Sequence, residues 1–159
     1  MNEVTVQVGG HVTLLFSIHS KQLLARNQGS RGAGLCLEDG VVASVKKVGT
    51  GEDSISVNFM DGTPFVEGHQ LYFDLLESFR DLFKIETAVN IDIQLELPVS
   101  QGFGMSGAGL FAASLALGEV FDCGDEGQLA RLAHRHERRN SSGLGDVLGL
   151  RAGGCELRI

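Results

Sequence analysis

Residues 108–121 (AGLFAASLALGEVF) constrain the fold more than any other part of this 159-residue chain. The segment reads as a helix with Glu119 as its one charge, and alanine and glycine recur along it, so no face of it suits water. Such a helix must be largely buried, and its small residues permit close packing against a sheet. Just before it lies the clearest strand in the chain. Val89, Ile91, Ile93, Leu95 and Leu97 alternate with Asn90, Asp92, Gln94 and Glu96, the period of a strand with one wet face. Pro98 ends that strand, and a glycine-rich loop leads from it into the buried helix.

The remaining patterns are shorter. Val4, Val6 and Val8 alternate with polar residues, and an apolar stretch covers 12–18, which predicts two strand pieces separated by a tight turn at Gly9-Gly10. Residues 29–34 (GSRGAG) read as a loop. Residues 41–48 and 54–59 read as strands, and Gly49-Thr50-Gly51 between them predicts a hairpin. From Tyr72 onward, Leu75, Leu76, Phe79, Leu82 and Phe83 fall on one helix face, leaving Asp74, Glu77, Arg80 and Asp81 for solvent. A break at Asp122-Cys123-Gly124-Asp125 precedes a further helix over 126–139. This order predicts an α+β fold, with helices collected on one face of a mainly antiparallel sheet, and the length fits a single domain over 1–159.

Composition narrows the function. The apolar fraction of 43% and charged fraction of 21% are those of a soluble globular protein, and no run is apolar enough for a membrane helix. The first ten residues carry an acid and a strand pattern where a secretory signal would carry basic residues and an apolar stretch, so a cytoplasmic location is expected. Cys36, Cys123 and Cys155 are too widely and oddly spaced for a disulfide framework or a zinc site, which predicts reduced packing thiols. A net charge of -7 disfavours nucleic acid, and the locally basic run 131–139 (RLAHRHERR) reads as solvated helix face. Glycine stands out, with 22 residues against 2 prolines, clustered as GSRGAG, GFGMSGAG and SSGLGDVLG. Such clusters beside helices point to binding through main-chain N–H groups.

The most informative cluster is Gly102-Phe103-Gly104-Met105-Ser106-Gly107-Ala108, placed between strand and buried helix. Unpaired N–H groups and the positive end of the helix dipole there would receive phosphate oxygens without a lysine. The Ser106 hydroxyl could join a phosphate oxygen or the shell of a phosphate-bound Mg²⁺. The loop lacks the Gly-Lys-Ser/Thr of a Walker motif. Although Gly102, Gly104 and Gly107 match the dinucleotide fingerprint, a helix follows where a parallel strand is needed. A turn that uses glycine only for steric reasons is the alternative. Asp146, after Ser141-Ser142-Gly143-Leu144-Gly145, is a candidate functional carboxylate or else a first-turn dipole partner. Glu137 lies on the preceding helix, where solvated glutamates are common. His134 and His136 point to different faces of a helix, which argues against a shared metal. His11, Ser30 and Arg31 are candidates for an acidic small substrate, with an ordinary surface charge the alternative for Arg31.

Taken together, the chain resembles the GHMP kinases, whose phosphate-binding motif P-x-x-x-G-L-G-S-S-A is matched by Pro98 to Ala108. Phe103 takes the leucine place, Met105 replaces the first serine, and Ser106 keeps the second. Within the superfamily it is most similar to the archaeal pantoate kinases, on Gly10-His11, the GSRGAG cluster, the form of the loop, and Gly143-Leu144-Gly145-Asp146-Val147. The resemblance implies a ribosomal protein S5 domain 2-like fold that binds ATP phosphates at Gly102, Gly104, Met105, Ser106, Gly107 and Ala108. It implies Mg²⁺ held by Ser106 and Glu137, Asp146 as the group that orients or deprotonates the attacking hydroxyl, and His11, Ser30 and Arg31 facing pantoate. It also implies phosphorylation of a small hydroxy acid on the way to coenzyme A. A GHMP kinase for another small alcohol is one alternative; because the resemblance covers the family's N-terminal domain and not its C-terminal one, the others are a truncated or non-catalytic module, a homodimer, or a domain working with a separately encoded C-terminal partner. A dinucleotide-dependent oxidoreductase is the third reading, and it would need a parallel sheet.

Overall fold

The computed structural model describes residues 2–19, 29–49, 51–139 and 145–158. Five strands and four α-helices follow in the order β1 (Glu3–His19), β2 (Gly29–Gly49), β3 (Ser54–Phe59), α1 (His69–Phe83), β4 (Ala88–Leu95), α2 (Met105–Phe121), α3 (Glu126–Arg139), α4 (Asp146–Ala152) and β5 (Cys155–Arg158), with a 3-10 turn at Val66–Gly68 before α1. The sheet runs β1-β2-β4-β3, and β5 pairs with the far end of β2. All pairings are antiparallel except β3 with β4. The α+β expectation holds.

Inter-strand register explains the core. Val4, Val45, Ile91 and Ile55 form one row across the four strands, and Val6, Ala43, Ile93 and Val57 form the next. All of these but Val6 are buried. On the opposite face the row Thr5, Ser44, Asp92 and Ser56 is polar, with Thr5 and Ser44 hydroxyls 2.8 Å apart and the Ser56 hydroxyl donating to Asp92 at 2.6 Å. Period-two alternation thus gives the sheet one wet face and one face for helices.

Five local expectations are corrected. Gly9-Gly10 does not turn the chain: β1 continues through it with a register shift between Gly9 and His11, so a bulge replaces the predicted turn. Residues 29–34 are not a loop but the start of β2, where the β1 backbone at Leu15 fills the space beside Gly32 and the His11 and Glu156 side chains fill that beside Gly34. The predicted hairpin of 41–48 with 54–59 does not form either, since β4 lies between β2 and β3; Thr50 itself lies outside the described residues. Turn chemistry at Gly49 was outweighed by the gain from placing Ile91 and Ile93 at the centre of the sheet, with α1 supplying the crossover a parallel pair requires. Leu82, assigned to the buried face of α1, is exposed at its last turn. Among the described residues the cysteines are free thiols, and Cys155 is exposed rather than packed.

Helix α2 rests on β1, β2 and β4 while α3 packs on its other side, so it is buried nearly all round, as its composition requires. It begins at Met105, one turn earlier than the uncharged run, and thereby takes in part of the glycine loop. Its small residues set the packing distance. A Cβ on Gly109 would lie 2.1 Å from the Tyr72 hydroxyl of α1, so glycine is required there.

Gly109→Ala is accordingly expected to lower the unfolding free energy by about 1–3 kcal/mol through overpacking. Adding Tyr72→Phe should recover part of that loss in urea denaturation. Equal losses in the single and double variants would show that the hydroxyl is not the obstacle.

Candidate functional site

The loop that opens α2 is built from unusual backbone. Ser100, Gly102 and Gly104 all have positive φ, at 60°, 83° and 61°. For Ser100 this conformation carries strain, a feature that gathers at binding sites. Gly104 stands at the N-cap of α2 and offers no side chain to cap it, and no acid lies in the first turn. The first N–H groups of the helix are therefore left without an intrahelical acceptor, and the dipole's positive end is not offset by a carboxylate of its own first turn.

Three distant segments meet this helix start. The bulge in β1 brings His11 alongside, and its backbone N–H donates to the Phe103 carbonyl at 2.8 Å. Asp146, the first residue of α4, lies against the loop: a Cβ on Gly104 would be 3.3 Å from its Cγ, and one on Gly107 would be 3.1 Å from its Cβ. Glu137, in the last turn of α3, is fully buried, and its Oε1 accepts the Asp146 backbone N–H at 2.9 Å. Its Oε2 sits 2.8 Å from His134 Nδ1. Glu137 thus ties the start of α4 to α3, and a Cβ on Gly107 would come within 3.2 Å of it.

Two clefts adjoin the α2 N-terminus. A polar one of ≈ 360 Å³ is lined by Thr13, Ser100, the loop from Gly102 to Ser106, and Asp146. A more apolar one of ≈ 270 Å³ includes Val57, Phe65, Leu71, Tyr72 and Val99. Met105 and Ser106 line both, so the helix start stands between them.

The sequence-derived candidates separate into two groups. The loop residues, Ser106, Glu137, Asp146 and His11 come together. Arg31 is exposed, and strand alternation sets it on the face of β2 opposite Gly32 and Gly34, away from His11. Ser30, in β2, pairs with Ile18 of β1, but its side chain lies outside the described residues, as do Ser141 to Leu144. His11 is only 1% exposed, with Nδ1 3.0 Å from Asp146 Oδ1 and Nε2 3.0 Å from Glu156 Oε1. Glu156, Arg158 and Thr13 were not foreseen. Glu156 had no signal, because the short strand carrying it is defined only by pairing with β2. Burial of Glu137 did have one: Leu129, Leu132, Ala133 and His136 form a helical stripe that includes it.

The oxygen donors suit a hard cation, since a hydroxyl such as that of Ser106 and a carboxylate such as that of Glu137 are the ligands Mg²⁺ accepts. Among the described residues no three His, Cys, Asp or Glu side chains group to hold a metal, so such an ion would complete its shell with phosphate and water.

A strand, a glycine loop and a buried helix start, with carboxylates from two later helices closing on it, define a GHMP kinase N-terminal domain. The GHMP kinases N terminal domain family matches residues 70–154, and the chain belongs to that family. It is 31% identical over 163 residues to the pantoate kinase of Methanospirillum hungatei, covering 99% of this chain and 53% of that protein. To the pantoate kinase of Thermococcus kodakarensis it is 36% identical over 158 residues, covering 96% and 50%. The chain therefore spans about half the length of the curated relatives it matches. Among solved structures, a phosphotransferase related to the CoA biosynthesis pathway superposes with a TM-score of 0.81 at 30% identity, over 99% of this chain and 52% of that one. A mevalonate kinase from Staphylococcus aureus MRSA252 shares the fold, with a TM-score of 0.71 at 19% identity over 99% and 55%.

The Asp146 carboxylate raises the His11 pKa above its ordinary value; burial opposes the rise and Glu156 adds to it. Folding thus tightens proton binding at His11. The resulting stabilisation is complete below about pH 6.5, the unfolded value, and is lost as pH rises through the folded value. The stability difference between the wild type and His11→Gln should be largest near about pH 6 and shrink toward alkaline pH in guanidinium denaturation. A difference that grows with pH would contradict this.

Proposed function

We propose that the chain is the ATP-binding domain of a kinase that phosphorylates the hydroxyl of a small acid, with pantoate the acceptor and coenzyme A synthesis the destination. The observation that carries this reading is that Asp146 and the uncapped start of α2 share one cleft. The nucleoside would occupy the apolar cleft beside Val57 and Phe65, and the triphosphate would cross the helix start between Gly104 and Gly107. The acceptor would enter the polar cleft beside Asp146. Asp146 would take the proton of the acceptor hydroxyl as its oxygen bonds to the γ-phosphorus, and the bond from that phosphorus to the β-γ bridging oxygen breaks to release ADP. Ser106 and Glu137 would hold Mg²⁺, which neutralises charge on the phosphates when bound. Main-chain N–H groups at the α2 start would take up the charge that develops on the phosphoryl oxygens. Similarity to two pantoate kinases supports the choice of acceptor.

A second reading, a GHMP domain that acts only with further polypeptide, draws on one surface. The rows Leu15-Ala33-Leu157 and Val12-Leu35-Cys155 share the outer face of the β1-β2-β5 arm, and Leu15 and Leu157 are 62% and 71% exposed. An apolar patch of this kind is suited to a docking partner.

ATP consumption by the chain with Mg²⁺ and pantoate, measured beside other small alcohols, separates the readings. Turnover that falls about 10²–10⁴-fold in Asp146→Ala is the outcome expected of a kinase with a carboxylate base. No turnover with any acceptor would favour the partner-dependent reading, and full turnover in Asp146→Ala would remove Asp146 from the chemistry.

A further inference from the structure

The carboxylate assigned to the acceptor proton does not stand alone. Asp146, His11, Glu156 and Arg158 form a row that starts at the polar cleft, which Asp146 lines, and runs into the protein. Successive contacts measure 3.0 Å from Asp146 Oδ1 to His11 Nδ1, 3.0 Å from His11 Nε2 to Glu156 Oε1, and 3.2 Å from that oxygen to Arg158 Nε. The side chains of His11, Glu156 and Arg158 are at most 9% exposed, while Asp146, at 16%, is the member open to the cleft. Both nitrogens of the imidazole face carboxylate oxygens. Ionised carboxylates only accept hydrogen bonds, so both contacts form when His11 carries two protons. In that state the row alternates in sign, and each buried charge has an opposite neighbour, the condition for keeping charges out of water.

The surrounding backbone is shaped to this row. A Cβ on Gly34 would lie 2.2 Å from His11 Nε2, and one on Gly149 would lie 2.7 Å from it, so glycine on β2 and on α4 makes the space for the ring. Three elements pack against His11 with titratable or charged groups: β2 with Cys36, α4 with Asp146, and β5 with Glu156 and Arg158. The Cys36 thiol donates to the Gly149 carbonyl at 3.4 Å, and burial, with Glu156 adding, pushes its pKa up, so it adds no charge near neutral pH.

We propose that Glu156 and His11 are positioning residues for phosphoryl transfer: Glu156 holds His11 as a fixed imidazolium, and the imidazolium pins Oδ1 of Asp146, leaving Oδ2 for the acceptor hydroxyl. The inference rests on the kinase reading of the cleft. It gives His11 a role one step removed from substrate, consistent with its burial and with the engagement of both ring nitrogens. It also makes β5 part of the machinery although no β5 residue lines the cleft. Orientation of a reacting carboxylate matters because a displacement of about 1 Å can cost on the order of 10²-fold in rate.

The test begins with ¹⁵N spectroscopy of the histidine rings in the full chain, His11 being assigned through its own backbone. Two protonated ring nitrogens at neutral pH are expected, and a neutral single tautomer would overturn the proposal without any variant. Glu156→Gln, which keeps shape and removes charge, is expected to lower the His11 titration midpoint by about one pH unit or more and to shift the Asp146 carboxyl ¹³C resonance. An unmoved Asp146 resonance in the folded variant would overturn it. These readouts need no turnover, so their failure is distinct from failure of the kinase reading. Where the chain turns over, Glu156→Gln should lower kcat about 10–100-fold with KM for ATP unchanged, and an unchanged kcat would likewise overturn the proposal.

Discussion

Burial of helix α2 on both sides is the constraint from which the rest of the structure follows. Its lower face lies on β1, β2 and β4, its upper face carries α3, and its small residues let both neighbours approach closely. With the helix so confined, its start has one place to emerge, beyond the end of β4 and beside the bulge in β1. The bulge carries His11 to the Phe103 carbonyl, and α3 ends with Glu137 over the first turn of α2. A helix start that is neither capped by a side chain nor offset by an acid in its own first turn can bind an anion, because its N–H groups are neither satisfied nor neutralised within the helix.

In the proposed kinase, anion recognition and proton handling would come from different parts of the chain. Main-chain groups of one continuous segment would supply the first. The second is assembled from α3, α4, β1 and β5, whose residues span positions 11 to 156 and meet only through long-range packing. Burial makes this assembly stringent, since a charged group withdrawn from water must be matched by an opposite charge or a hydrogen bond. The alternation along Asp146, His11, Glu156 and Arg158 meets that demand with four residues from three elements.

Much of this was legible in particular residues. Val89 to Leu95 and the segment after Tyr72 declared strand and helix by period alone, and Gly102 to Ala108 declared a loop leading into a helix start because both its flanks were readable. Two of the errors share one physical origin. Gly9-Gly10 and residues 29–34 carry turn chemistry, yet their glycines serve close approach: Gly34 leaves room for the His11 ring and Gly9 for the Leu37 carbonyl. Local sequence does not distinguish a glycine that bends the chain from one that makes space for a neighbour distant in sequence.

The sequence by itself determined the α+β character, the one-sided sheet, the buried helix and the glycine loop before it, since each follows from the period or composition of a short stretch. Tertiary structure alone decided that β4 separates β2 from β3, that Glu137 meets the Asp146 backbone N–H, and that His11 lies between two carboxylates. Strand order and the pairing of buried charges depend on which distant segments share a volume, and local propensity carries no record of that.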